Sequence, residues 1–358
     1  MFNPQRLEIA RKRRSLTAKK LAEDSGIAAV TISRIMKGDN EPEFQTIQAL
    51  ANALKYPTDF FFQDDLDTIE SEAASFRSLK AITVKECNSA LSASSLAFEL
   101  NDWISDKFNL PSTDIPDLSD LASEPSTAAV VLRRSWGLGS RPVGNLVRLL
   151  ESKGVRFFSL FENTQNVDAF CCWRKETPFI FLNTLKSAER SRFDTAHELA
   201  HLVLHRRNGS KHPEAENEAD KFASEFLMPS SDIFSNLPKF VSLETLIASK
   251  KRWRVSVMAL ANRLHKLGVV SDWQYRTLCI QASKNGYRKT EPSPIQPEFS
   301  GLFEKVFKSL WSDGYTIDRI ASELGLPFDE LHHLINGLTP SEVTPKKDNA
   351  SRPKLIVV

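Results

Sequence analysis

The sequence has little of three things: cysteine, net charge and long apolar runs. It contains four cysteines in 358 residues, and its formal net charge is +2. The cysteines lack the paired spacing of a zinc knot, which favours a reduced, cytoplasmic protein. The N-terminus lacks the apolar core of a signal peptide and no run is long enough to span a bilayer, so no membrane partner is expected. With so little net charge, any nucleic-acid binding must come from a local patch.

The rest of the composition is that of a globular protein. Hydrophobic residues make up 41% and charged residues 26% of the chain, and the length allows two or three domains. Helical spacing of apolar residues dominates the chain. We therefore predict a mainly α fold, α+β overall, with one small sheet.

The most informative stretch runs from Arg192 to His205 and contains His197-Glu198-x-x-His201. Apolar residues surround the motif and neither glycine nor proline interrupts it, so it is predicted to be helical. On a helix the two histidines lie one turn apart on one face, where both can bind a single Zn²⁺. Glu198 then lies beside the metal, where its carboxylate can take a proton from a water.

A second amphipathic helix is predicted just before Pro229. Glu216 and Asp220 are four residues apart in it and share one face. A glutamate here can complete a His, His, Glu ligand set, and Asp220 can accept a hydrogen bond from a ligand histidine and fix its tautomer. On spacing alone, Glu214 or Glu218 can take the ligand role instead, or these acids can form a solvated charged face.

His205 lies on the same helix face as His197, two turns further on. It can stabilise an oxyanion, support the metal site from outside, or be a buried structural histidine. The metal is most simply Zn²⁺, although a site with a carboxylate and water also accepts Mn²⁺.

Taken together, these motifs resemble the ImmA/IrrE family of metallo-endopeptidases. The resemblance covers roughly residues 180–230 and rests on Phe181-Leu182-Asn183, Arg192-Phe193-x-x-Ala196-His197-Glu198-x-x-His201 and Glu216-x-x-Ala219-Asp220-x-Phe222-Ala223-x-x-x-Leu227-Met228-Pro229. It implies that His197, His201 and Glu216 are the metal ligands and that Glu198 is the general base or acid. It also implies a zincin-like peptidase domain and a protein substrate of the regulatory kind, such as a transcriptional repressor.

Three strands are predicted ahead of the metal-binding helix. Aromatic and β-branched residues cluster at 155–160, 169–173 and 179–182. A small antiparallel sheet beside the helix is the expected assembly. Cys171 and Cys172 should point to opposite faces of their strand, and neither is expected to be catalytic, because the nearby bases are engaged by the metal.

Residues 3–63 are predicted to form five short helices that include a helix-turn-helix, and they resemble the XRE-type DNA-binding domains. The third helix would enter the major groove of double-stranded DNA, with Arg34 reaching a guanine edge. Arg11-Lys12-Arg13-Arg14 would add positive charge, and a homodimer is expected. Alternatively, the apolar Ala29 and Val30 indicate a domain that binds protein. The candidate DNA contacts are Thr17, Lys19, Lys20, Ala29, Val30, Thr31, Ser33, Arg34 and Lys37.

The helix-turn-helix pattern recurs near the end of the chain, where residues 316–337 repeat the spacing of residues 17–38. The would-be recognition helix of this second unit carries Asp329 and Glu330, whose carboxylates would face phosphates. We therefore predict that it does not bind DNA but packs on a neighbouring domain or a second subunit.

These patterns divide the chain into six predicted units. They are a helix-turn-helix domain at 1–64, a helical linker region at 65–125, a metallopeptidase core at 126–235, its helical extension at 236–292, a second helix-turn-helix-like unit at 293–340 and a flexible tail at 341–358. The predicted function is a transcriptional regulator fused to a zinc endopeptidase. The alternatives are a regulator whose peptidase-like domain senses a metal or ligand without cutting, and an antitoxin-like protein. Glu198 favours the enzyme, because a sensor needs the ligands but not the base.

Overall fold

Sixteen α-helices and four short strands make up the part of the chain that the structure describes. It is a computed structural model, and it describes residues 1–70, 74–76, 82–160, 167–206 and 214–340. The predicted tail and parts of the predicted linker lie outside these residues. The mainly α fold with one small sheet is confirmed.

The N-terminal helices have the order expected of a helix-turn-helix domain. Asn3 caps α1 by accepting hydrogen bonds from the backbone amides of Gln5 and Arg6, and Gly26, with φ of +71°, ends α2 in the left-handed conformation. Apolar residues of the predicted motif are buried in these helices, namely Leu21, Ile32, Ile35, Ile47, Leu50, Ala51 and Leu54. The elements are α1 Pro4–Arg13, α2 Ala18–Ser25, α3 Ala29–Lys37 and α4 Phe44–Leu54, followed by a 3₁₀ turn at Thr58–Phe62.

The central part of the chain packs a mixed sheet between helices. The helices before and after the sheet are α5 Val84–Lys107, α6 Pro125–Ser135, α7 Leu146–Ser152, α8 Ala188–Leu204 and α9 Ala215–Leu227. The strands are β1 Ser75–Phe76, β2 Arg156–Ser159, β3 Ala169–Arg174 and β4 Thr177–Leu182. The strand order is β1-β3-β4-β2.

The pairing within this sheet differs in part from the prediction of an antiparallel sheet. β3 and β4 form the expected antiparallel hairpin, but β2 pairs parallel with β4. The reason is strand order: β4 lies between β2 and β3, and residue patterns that identify strands do not specify which neighbour each one takes. β1 was not predicted, because two residues carry no recognisable periodicity.

The two faces of the sheet contact different helices. On one face, the ring of Phe98 of α5 packs edge to face on Phe179, with 4.7 Å between ring centroids. Phe170 stacks on Phe181 with 4.4 Å between centroids. The opposite face packs on α8. Since neighbouring residues of a strand point to opposite sides, Cys172 shares the face of Phe170, and Cys171 faces α8.

Seven further helices follow α9 in the described part of the chain. They are α10 Ser230–Asn236, α11 Leu243–Trp253, α12 Val257–Lys266, α13 Asp272–Lys284, α14 Gly301–Ser312, α15 Ile317–Glu323 and α16 Phe328–Ile335. Of these, α11 contacts α8 and α12 contacts α9 through ion pairs. Lys250 of α11 reaches Glu189 at the start of α8, 2.9 Å away, in an ion pair with both side chains fully buried. Across the described part of the chain, every helix is too short or too polar to span a bilayer.

The second helix-turn-helix-like unit packs on the first, as predicted. Arg13 at the end of α1 pairs with Glu330 of α16 at 2.7 Å, and Arg14 pairs with Asp329 at 2.8 Å. The expectation that the basic run of α1 adds charge for DNA is therefore wrong for these two arginines. Their side chains are instead paired with carboxylates of α16.

Candidate metal centre and DNA-binding surface

The candidate metal centre is built on α8, which is enclosed by the sheet on one side and α9 on the other. Ser187 starts α8 as its N-cap by accepting a hydrogen bond from the backbone amide of Arg190. The helical spacing that the sequence predicted brings His197 and His201 to one face, and both are buried. Packing of α9 across this face adds Glu216.

Three ligating side chains converge at this point. The Nε2 atoms of His197 and His201 are 3.1 Å apart. Glu216 places Oε2 at 3.4 Å from Nε2 of His197 and Oε1 at 3.3 Å from Nε2 of His201. A tetrahedral zinc site with bonds of about 2.0–2.1 Å has ligand–ligand edges of about 3.3 Å. The donor set and its spacing therefore fit a single Zn²⁺, and the three side chains can hold a metal ion.

The ring of His197 is oriented by Asp220, one turn after Glu216 on α9. Nδ1 of His197 lies 2.9 Å from Oδ1 of Asp220. Because an ionised carboxylate can only accept hydrogen bonds, Nδ1 of His197 carries the proton and donates a hydrogen bond to Asp220. The lone pair of this imidazole is then on Nε2, the nitrogen that faces Glu216 and His201.

The ring of His201 is oriented through a chain of two further side chains. Its Nδ1 lies 2.8 Å from Nδ1 of His205, and Nε2 of His205 lies 2.9 Å from Oε2 of Glu218. When His205 donates from Nε2 to Glu218, its Nδ1 accepts from Nδ1 of His201. This leaves the lone pair of His201 on Nε2 as well. Glu218, which spacing alone left open as a third ligand, contacts His205 instead of the ligand cluster.

Glu198 lies next to the cluster and is fully buried. Cys171 of β3 lies near it, on the face of the strand that packs on α8. Burial, and then the nearby Glu198, hold the pKa of this thiol well above its usual range. Cys171 therefore stays protonated, whereas a nucleophilic cysteine would be a thiolate. The candidate base at this site is Glu198.

Most of the candidate DNA contacts are exposed on the N-terminal domain. Ala29, Val30, Arg34 and Lys37 of α3 are exposed, as are Thr17 and Lys19, while Thr31 and Ser33 are half-buried. Two of the candidates already have partners within the domain. Thr17 caps α2 by accepting from the amide of Lys20, and Lys20 pairs with Asp24 at 2.8 Å.

Two regions of the chain match known protein families. Residues 7–61 match the family model described as helix-turn-helix, and residues 150–265 match the model described as IrrE N-terminal-like domain. The chain joins a helix-turn-helix domain to an IrrE N-terminal-like domain. Both resemblances proposed from the motifs are thereby confirmed. No curated protein is similar enough to the whole chain to count as a match.

The protonation states of His201 and Glu216 in the IrrE-like domain favour binding of a cation. Burial lowers the pKa of His201 to about 4, so its imidazole is neutral near pH 7. Burial raises the pKa of the Glu216 carboxyl, but the adjacent His197 and His201 outweigh burial and lower it to about 2. Neutral imidazole and ionised carboxylate are the forms that bind a metal.

Two residues of the IrrE-like domain were not given these roles by sequence reasoning. Glu218 was considered only as a ligand, although its place two residues after Glu216 turns it away from the face that Glu216 shares with Asp220. Cys171 was considered only as a nucleophile. Its place beside Glu198 depends on how β3 packs over α8, and strand alternation predicts only that Cys171 and Cys172 face opposite ways.

Proposed function

We propose that this protein is a cytoplasmic, DNA-binding transcriptional regulator joined to a zinc-dependent endopeptidase that cleaves a regulatory protein such as a repressor. The observation that carries the proposal is the convergence of His197, His201 and Glu216 beside a fully buried Glu198. The six predicted units, binding of double-stranded DNA as a homodimer and the DNA contacts on α3 belong to the same proposal.

The proposed mechanism assigns each side chain one task. His197, His201 and Glu216 would hold the ion, while Asp220 and the His205–Glu218 pair keep the two imidazoles in the tautomer that presents Nε2. When bound, Zn²⁺ supplies Lewis-acid chemistry, polarising a carbonyl and acidifying water. Glu198 accepts the proton of the attacking water and later gives it to the leaving amine. Its burial keeps bulk water away from that proton.

The alternative, a sensor that binds a metal or ligand and cuts nothing, makes a different demand on the site. A sensor requires the three ligands and the residues that orient them, but it has no use for a buried carboxylate beside them. Burying an ionisable group is costly unless its surroundings compensate. The position of Glu198 therefore supports the endopeptidase over the sensor.

The test is cleavage by the purified protein. It is incubated with the repressor proteins of its own cell, with and without a chelator, and fragments are identified by mass spectrometry. Cleavage that stops with the chelator and returns with added Zn²⁺ is expected. A metal-loaded protein that leaves every repressor intact would support the sensor instead.

A further inference from the structure

The linker between the two domains adds a strand to the sheet at the metal centre. Ser75 pairs with Cys171 and Phe76 with Phe170, antiparallel, so that β1 covers the outer edge of β3. Ala74, just before this strand, is buried. These residues come from the segment between the N-terminal helices and α5, and not from the IrrE-like domain itself.

The edge that β1 covers borders the proposed catalytic base. Cys171, directly opposite Ser75, lies on the face of β3 that packs on α8, the helix that carries Glu198. The inner edge of β3 is paired with β4, and the other edge strand of the sheet, β2, lies beyond β4. The outer edge of β3 is thus the sheet edge next to Glu198.

An ion pair fixes the direction in which the linker approaches this edge. Arg174, the last residue of β3, contacts Asp67 of the linker at 2.5 Å and Asp102 of α5 at 2.6 Å. Asp67 therefore lies at the Arg174 end of β3, and Ser75 and Phe76 lie further along, opposite Cys171 and Phe170. The contact of Asp67 and the pairing of β1 thus run opposite to the direction of β3, as in an antiparallel pair.

An extended polypeptide commonly binds a protein by adding a strand to an exposed sheet edge. A substrate that reaches Glu198 in this way needs the outer edge of β3, which β1 occupies. We propose that residues 74–76 are an internal competitor that must leave β3 before a protein substrate can bind. This inference rests on the proposed endopeptidase function. A strand of two residues forms few backbone hydrogen bonds, so it can be displaced without unfolding the sheet.

The linker also connects this edge to the DNA-binding domain. Gln5 of α1 donates to the backbone carbonyl of Leu66, and Nε of Arg6 donates to that of Asp64. The start of the linker is therefore held by α1, close to the contact of Asp67 with Arg174.

The test uses the full-length, Zn²⁺-loaded protein and two probes. Alternate residues of an antiparallel strand bond to the partner, so changing both Ser75→Pro and Phe76→Pro removes the pairing whichever residue bonds to β3. The matched control carries Thr68→Pro and Glu70→Pro, two exposed positions of the same linker. Binding of a tripeptide hydroxamate, which chelates the metal and extends along the strand edge, is compared with binding of acetohydroxamate, which has no peptide part. Hydrogen exchange of residues 169–174 is followed in parallel.

The strand variant should bind the tripeptide hydroxamate about tenfold more tightly than wild type, since it has no strand to displace. Its affinity for acetohydroxamate should not change, its β3 amides should exchange faster, and the linker control should behave as wild type. Equal tripeptide hydroxamate affinity in all three metal-loaded proteins would overturn the inference while leaving the metal site intact. Failure of wild type to bind Zn²⁺ or either hydroxamate would instead refute the proposed function, and this inference with it.

Discussion

Arg13 and Glu330 are 317 positions apart in the sequence, yet Nε of Arg13 donates to Glu330 at 2.7 Å in a buried contact. Glu330 also accepts from the hydroxyl of Tyr56 at 3.2 Å and lies 3.0 Å from Arg14. One carboxylate of α16 therefore engages three side chains of the N-terminal domain. The same terminal unit reaches the IrrE-like domain, where Thr184 donates to the backbone carbonyl of Asn336 at 3.0 Å.

Removing Glu330 should destabilise the protein markedly. Glu330→Ala removes the buried carboxylate that Arg13, Arg14 and Tyr56 share, and breaking a buried ion pair typically costs about 3–5 kcal/mol. The matched control is Asp329→Ala, since Asp329 also pairs with an arginine but is 47% exposed, and exposed pairs contribute about 1 kcal/mol or less. Urea unfolding of both variants measures the difference. Equal and small losses would show that α16 does not hold the N-terminal domain in solution.

DNA binding should depend on α3 and not on the second helix-turn-helix-like unit. Arg34→Ala should cost about 1–3 kcal/mol and relax preference at one base pair. Lys37→Ala should weaken binding to all sequences alike and flatten the salt dependence by about one unit. Arg319→Ala, an exposed arginine of α15, serves as the control and should have no effect. Operator titrations over a range of salt concentrations test this. If Arg319→Ala loses as much affinity for DNA as Arg34→Ala, the second unit contributes to DNA binding and the prediction is wrong.

The residues behind the two histidines should set metal affinity. Asp220→Ala and His205→Ala each remove a hydrogen bond to a ligand imidazole, and each should weaken Zn²⁺ binding by roughly 10–100-fold. Asn217→Ala, on the exposed face of α9, should leave affinity unchanged. Competition with a chromophoric chelator measures all three. If His205→Ala slows cleavage while metal affinity stays at the wild-type value, His205 acts on the oxyanion and not on His201.

The sequence predicted some residues of the candidate metal centre better than others. Helical periodicity is local, so it placed His197, Glu198 and His201 correctly on α8 before any tertiary contact was known. The pairing of Glu216 with the two histidines required α9 to cross α8, and spacing alone could not separate it from Glu218. Here the family resemblance indicated Glu216, the residue that faces both histidines in the structure.

Features that depend on long-range packing were not predictable in the same way. The parallel pairing of β2 with β4 and the added strand β1 follow from strand order, which periodicity does not encode. The basic run of α1 has the composition of a DNA-binding patch, but the burial of Arg13 against Glu330 depends on residues more than 300 positions away. That α16 packs on a neighbour was predictable, because two carboxylates on a would-be recognition helix disfavour phosphate contacts.

The central claim is that one metal centre and one base act together in peptide cleavage. Glu198→Gln keeps the size of the side chain but cannot accept a proton, so it should retain the fold and the metal and lose cleavage. His201→Ala should lose both metal and cleavage. The most direct measurement is therefore metal content by mass spectrometry against cleavage of a repressor substrate for wild type and these two variants. We predict metal in wild type and Glu198→Gln, and fragments with wild type alone. Cleavage by Glu198→Gln, or a wild-type protein that takes up no metal with all three ligands intact, would contradict the account.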